Sequence, residues 1–279
     1  MFIGKNKEGI ECRYTLLERM MCEGYCVFPK LLNSESVEII RDVAISGFHS
    51  NRPPTPVFFG PNPLIERPDI LVPMIASRNI INIIEEIIGP FVQLDSISLV
   101  GIPPNSNAGI SWHRDVYGSM PRAVEYNPPR AFNLLVYLQE INELTGKFRL
   151  IPGSHREPTF ISGDALHLPH KNEALLALSS GDAVLIDTNL VHSRSINLSS
   201  LDRLHLSVIY NHSCMRTMID YTDSMLKKLQ ADIIDTGNRR LMRLFGSDIS
   251  AINRYNSGFM EPDEVLWKRW KIEDGYIKP

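Results

Sequence analysis

With 279 residues, 43% of them hydrophobic, and a formal net charge of -3, the chain has enough apolar material for a buried core and no compositional sign of disorder. That charge offers no basic surface for phosphate contacts, so no nucleic-acid partner is expected and a small-molecule substrate fits better. Met1-Phe2-Ile3-Gly4-Lys5-Asn6-Lys7-Glu8 lacks an apolar signal core and no later stretch approaches a membrane span, so a soluble, cytoplasmic protein is expected.

In chain order, the first third, about residues 1–90, reads as mainly helical. Asn33 and Ser34 are fit to cap a helix with Val37, Ile40, Val43 and Ala44 on one face, stopping near Gly47. Ser77 is placed to cap another, with Ile80, Ile84, Ile87 and Ile88 inward and Gly89-Pro90 ending it. Strand patterns follow over 92–102, 130–139, 148–151, 183–186 and 204–211, a β core spanning about 91–212. From about Met215 the spacing of Met218, Tyr221, Met225, Leu226 and Leu229 predicts a return to helix through 213–279. Helices flanking a β core require no second domain, so one domain over 1–279 is expected. The four cysteines, Cys12, Cys22, Cys26 and Cys214, are too few and too uneven for a disulfide framework and read as reduced thiols. The proline-rich stretch around Pro53-Pro54 and the loops 116–129 and 156–172 are long enough to act as lids or pocket walls.

The chemistry concentrates in Ser111-Trp112-His113-Arg114-Asp115, answered by Leu190-Val191-His192-Ser193 and then Arg203. Two imidazoles and one carboxylate are the facial ligand set that holds non-haem Fe(II) with positions left open, which points to an oxygenase. Positions i and i+2 of an extended strand face the same way, so His113 and Asp115 reach one metal together while Arg114 points off. His192 follows the turn and short strand of 181–187. Arg203 opens a strand on which Leu204, Leu206, Val208 and Tyr210 alternate with His205, Ser207 and Ile209. Packing does not explain a guanidinium there; a dicarboxylate gripped by its planar fork does.

Further pieces carry a resemblance. Glu23-Gly24-Tyr25-Cys26-Val27-Phe28-Pro29 with Leu31-Leu32, then Trp112-His113-Arg114-Asp115, Leu134 to Leu138, Gly146 to His155 with its Pro152-Gly153-Ser154-His155 turn, and His192 with Arg203 eleven positions on, form a specific combination. Together they resemble the phytanoyl-CoA dioxygenase family of Fe(II)- and 2-oxoglutarate-dependent oxygenases over most of the chain. The resemblance implies a mainly β fold with flanking helices around a double-stranded β-helix, a cupin-like jelly roll, with the metal in the barrel mouth. It also implies Fe(II) on His113, Asp115 and His192, O2 as co-substrate, and Arg203 pairing with the distal carboxylate of 2-oxoglutarate, with Ser207 beside it. The match is uneven elsewhere. Ile102 precedes Pro103-Pro104 where some members have lysine, and Leu135 stands where some have an aromatic residue, so Ser98 and Asn133 are candidates for the rest of the grip.

Rival ligands are weaker. His155 sits in a turn with Leu166, not arginine, eleven positions on, and reads as structural. His167 and His170 flank a region broken by Pro169, and Cys22 and Cys26 have no second pair. Gly153-Ser154-His155 lacks the second glycine of a nucleophile elbow, and Gly146-Lys147 has no upstream phosphate-loop glycine. Hydroxylation is the expected outcome. A halogenase needs the position that Asp115 fills. The substrate pocket is expected from Trp112, Tyr117, Met120 and Phe132, with Phe58-Phe59 and Phe160 nearby, suiting a specialised metabolite or an amino acid. A catalytically silent, cupin-like binding module is the alternative, though it leaves two histidines and an aspartate buried without a ligand.

Overall fold

A computed structural model describes residues 2–5, 11–51, 58–59, 63–106, 110–115, 131–156, 161–249, 254 and 261–278. A hairpin of β1 (Phe2–Lys5) and β2 (Glu11–Tyr14) precedes α1 (Leu16–Glu23), β3 (Tyr25–Phe28), α2 (Ser34–Asn51) and β4 (Phe58–Phe59). Three helices follow, α3 (Pro63–Glu66), α4 (Pro68–Ile75) and α5 (Arg78–Ile88), and then the central strands β5 (Val92–Ile102) and β6 (Ala131–Tyr137). Short strands β7 (Phe148–Leu150), β8 (Ala174–Leu176), β9 (Ala183–Asp187) and β10 (His192–Arg194) lead to the long β11 (Arg203–His212). Helices α6 (Ser224–Asp235), α7 (Arg239–Leu244) and α8 (Asp263–Glu273) follow.

Apart from the β1-β2 hairpin, the described strands form two antiparallel sheets, β3-β9-β6-β11-β5-β4 and β10-β7-β8. Period-two alternation decides what each face meets. From β6, Phe132, Leu134 and Val136 join Leu204, Leu206, Val208 and Tyr210 of β11 on the back of the large sheet, where the helices cover them. Leu135 and Tyr137 of β6 with Val184 and Ile186 of β9 turn inward onto Phe148 and Leu150 of the small sheet. Both faces of β6 are therefore buried, which is why all seven of its residues are. This is the jelly roll, with helices flanking its outer face.

Three differences from the sequence reading have physical causes. The first third is not purely helical: Gly24, at φ 80°, ends α1 in the left-handed region, and the chain emerges at once into β3, which pairs with β9. Helix α2 continues through Gly47 to Asn51, since one interior glycine costs only about 1 kcal/mol. The last helical segment begins at Ser224, not near Met215. Thr217, Asp220 and Asp223 take the N–H groups of Ile219, Thr222, Met225 and Leu226 on their side chains, which replaces helix with turns and then caps α6. A bulge also shifts register between β5 and β11. Tyr210 pairs with Leu94 and Ile209 with Ser96, so Asp95 is the extra residue and Leu94 and Ile97 both face the helices.

Candidate metal centre

His113 and His192 exchange backbone hydrogen bonds at 3.0 Å in each direction, an isolated bridge that brings the two sequence segments side by side. Asp115 N–H donates to Thr188 O at 2.9 Å, extending the contact. Arg114, pointing off as the i, i+2 argument requires, clamps the same junction: its Nε donates to Asn189 O at 2.7 Å and Nη2 to Ser154 O at 3.2 Å. The result is one ligand atom from each of His113, Asp115 and His192 within 4.8 Å of one another, the one such cluster found among the described residues.

The donor chemistry fits a divalent metal. Each imidazole spends Nδ1–H on a carbonyl, His113 on Ser111 O at 2.9 Å and His192 on Leu190 O at 3.0 Å, which leaves both Nε2 lone pairs to converge. Desolvation in the cavity mouth, and then His192 with its ring centre 4.3 Å away, hold the His113 imidazole below its ordinary value and so in the neutral, ligating form. Asp115 Oδ1 lies 3.5 Å from His192 Nε2. Its Oδ2 accepts from Asn133 Nδ2 at 2.8 Å, and Asn133 Oδ1 accepts from Ser207 Oγ at 2.9 Å. Asn133 and Ser207 thus have a partner the sequence did not suggest: together they orient Asp115.

A cavity of about 220 Å³ runs from these ligands between the two sheets. β11 lines it with Ser207, His205 and Arg203, β6 with Asn133, Leu135 and Tyr137, β5 with Val100 and Ile102, and β10 with His192 and Arg194. Arg203 is 1% exposed, lies over the Tyr137 ring at 5.5 Å, and has Nε and Nη1 without a hydrogen-bond partner. Burial holds its pKa down, and burial followed by Arg203 pushes Arg194 down to about 9. Burial, then Arg203, Arg194 and His192, push His205 down to about 3, so this imidazole is neutral. A larger cavity of about 420 Å³ beside α5 and α7 has matched charges, Arg240 with Glu85 at 2.9 Å and Arg243 with Asp274 at 3.0 Å.

Two residues expected in the substrate pocket lie elsewhere. Phe132, one position from Asn133, is turned by strand alternation into the helix-covered core. Trp112 packs outside the cavity with Ile151 and Val191, donates Nε1–H to Leu168 O at 2.9 Å, and carries Arg149 over its ring at 4.5 Å. Tyr117, Met120 and Phe160 fall outside the described residues, as do the side chains of Phe58 and Phe59. Ser98 pairs in register with Ser207 but does not line the cavity. His155 donates Nε2–H to Met21 O at 3.2 Å and touches Gly24, while His167 Nδ1 meets Ser111 Oγ at 3.1 Å; neither enters the metal cluster. Sequence reasoning passed over His205 and took Arg194 only as one of several scattered arginines suited to a substrate carboxylate. Their signal was the same i, i+2 alternation, from His192 and from Arg203.

The match to known proteins covers this same region. Residues 77–204 match the phytanoyl-CoA dioxygenase (PhyH) family, from α5 through every proposed ligand to Arg203 and the start of β11. They form a PhyH domain. The chain is therefore an Fe(II)/2-oxoglutarate-dependent oxygenase by class. Among solved structures, HygX from Streptomyces hygroscopicus with nickel, 2-oxoglutarate and hygromycin B bound aligns at TM-score 0.59 and 16% identity, covering 71% of this chain and 86% of its own. The epimerase SnoN in complex with Fe3+, alpha ketoglutarate and nogalamycin RO aligns at TM-score 0.56 and 18% identity, covering 75% and 88%. These likenesses are of fold. No curated protein sequence matches the chain.

Proposed function

We propose that this PhyH domain hydroxylates a C–H bond of a small-molecule metabolite, with Fe(II) held by His113, Asp115 and His192 and 2-oxoglutarate anchored on Arg203. One observation carries the reading: the three converging ligand atoms and a buried guanidinium with free donors line the same cavity. Bound iron, 2-oxoglutarate and O2 supply the oxidising power for an unactivated C–H bond, with succinate and carbon dioxide as co-products. The protein's own part is to fix geometry. Asn133 and Ser207 hold Asp115, the Ser111 and Leu190 carbonyls hold the imidazoles, and the apolar walls Val100, Ile102, Leu135 and Phe148 keep water from the reacting carbon. We read all of 1–279 as one such domain, since α1, α2 and α5 through α7 pack on the outer face of the sheet whose inner face carries Arg203 and Asn133.

HygX and SnoN are crystallised with hygromycin B and nogalamycin RO, which supports a specialised metabolite as the substrate here. The test is a metabolite-library screen for succinate release above the uncoupled background, followed by mass spectrometry of the product. Hydroxylation adds one oxygen atom. A product of unchanged mass and inverted stereochemistry would replace hydroxylation with epimerisation. A silent binding module would give no visible charge-transfer band when Fe(II) and 2-oxoglutarate are added anaerobically.

A further inference from the structure

Arg194 has no role in the reading above, yet it enters the same cavity. It follows His192 by two on β10, so strand alternation aims both side chains inward. The two then diverge along the cavity. His192 pairs in register with Leu150, while Arg194 pairs with Phe148, whose ring stands between Tyr137 at 6.4 Å and His192 at 5.7 Å. Arg194 Nη1 reaches Ser106 O at 3.5 Å, just beyond the end of β5, where Ile102 pairs in register with Arg203. Ser207, joined to Asp115 through Asn133, is four residues further along β11, roughly 13 Å away on an antiparallel strand. Arg194 thus reaches toward the Arg203 end of β11, while staying near enough to the metal ligands to add, after burial and His192, to what holds the His113 imidazole down.

That end holds two buried cations, Arg194 at 6% and Arg203 at 1% exposure. Nη2 of Arg194 and Nε and Nη1 of Arg203 lack hydrogen-bond partners, and neither guanidinium has a carboxylate partner among the described residues. Asp115, the one carboxylate lining the cavity among those residues, is engaged by His192 and Asn133 instead. Two unpaired buried cations facing one space are costly unless an anion joins them.

We propose that Arg194 and Arg203 form a two-guanidinium seat that grips one carboxylate, the distal carboxylate of 2-oxoglutarate, from two sides. Arg194 is thereby a specificity-determining residue for a dicarboxylate co-substrate over a monocarboxylate oxo acid. This rests on the 2-oxoglutarate reading above, and binding separates the two. Mn(II)-loaded protein is titrated calorimetrically with 2-oxoglutarate and with 2-oxopentanoate, which keeps the chelating end and lacks the distal carboxylate.

Wild type should strongly prefer 2-oxoglutarate. Arg194→Met should weaken 2-oxoglutarate binding roughly tenfold to a hundredfold, as loss of a hydrogen bond to a charged group does, and leave 2-oxopentanoate binding unchanged. Arg194→Lys should fall between them, because an ammonium keeps the charge but not the fork; it carries the test if the methionine variant fails to fold. An unchanged 2-oxoglutarate affinity in a folded Arg194 variant overturns the seat and leaves the Arg203 anchor standing. Equal losses for both oxo acids also overturn it. A wild type that binds neither acid overturns the co-substrate reading itself.

Discussion

His113, Asp115 and His192 come from two segments of sequence; each histidine is held by the carbonyl two residues before it, and Asp115 by Asn133 of β6. Replacing any one by alanine should abolish substrate-dependent succinate formation and metal retention, whereas His155→Ala should keep the metal and lose only stability. Metal analysis of the purified variants checks this, and loss of metal from His155→Ala with retention in His192→Ala would reverse the assignment. On the proposal that Asp115 fills the position a halide needs, wild type assayed in high chloride should give oxygenated or desaturated product and no chlorinated one by mass spectrometry. His205 makes a different prediction. Its folded-state value lies near 3 against 6.5 when unperturbed, so between those pH values the unfolded chain binds a proton that the folded chain refuses. Stability therefore falls as pH falls, and by pH 5 this one group should cost about 2 kcal/mol. Denaturant unfolding at pH 7 and pH 5 should show that extra loss in wild type and not in His205→Gln. Parallel behaviour would mean that His205 charges freely inside the fold.

At the level of elements, the two motifs that looked least chemical meet each other. Gly153 N–H donates to Glu23 O and Asp187 N–H to Gly24 O, at 2.9 and 2.8 Å, so the Pro-Gly-Ser-His turn, the end of α1 and the end of β9 form one knot. Ser154 Oγ then accepts from Val191 N–H at 2.8 Å, one residue before His192. The turn therefore aims β10. A Cβ on Gly24 would stand 2.4 Å from His155 Nδ1, and its φ of +80° disfavours any other residue. Gly24→Ala should cost about 1–3 kcal/mol, and the penalty should shrink when measured in a His155→Ala background, which removes the closest contact but leaves Leu190 Cδ1 at 2.9 Å and the strained backbone. Equal penalties in both backgrounds, by thermal or urea unfolding, would mean that the knot does not exist in solution.

For the whole molecule, the cavity walls come from both sheets, with β10 and β7 on one side and β5, β6 and β11 on the other. A ligand that bridges them should stabilise the global fold and not just a loop. Mn(II) and 2-oxoglutarate together, at a hundredfold excess over their dissociation constants, should raise stability by about 2.7 kcal/mol, and EDTA should reverse it. A rise from 2-oxoglutarate alone, equal to that with metal, would detach the cavity from the metal cluster. Among the described residues no helix is long and apolar enough to cross a membrane.

The grouping of His113, Asp115 and His192, the place of Arg203 at the head of β11, and the central strands 92–102 and 183–186 were legible in the sequence, because chemistry-bearing residues at strand spacing and unbroken period-two runs are local signals. The same alternation foretold that Arg203, His205 and Ser207 share a face, although only Arg203 and Ser207 were singled out. What the sequence could not decide was which inward position faces which. Asn133 and Ser207, read as co-substrate contacts, do line the cavity, and register also puts them in a hydrogen-bonded chain to Asp115. Trp112 and Phe132 looked like pocket walls because each adjoins a cavity residue, and in a strand adjacency in sequence means opposite faces. Arg194 gained its meaning only when the β10–β7 register carried it toward Arg203, since a pair of buried cations from separate strands is a property of tertiary packing and leaves no trace in either segment.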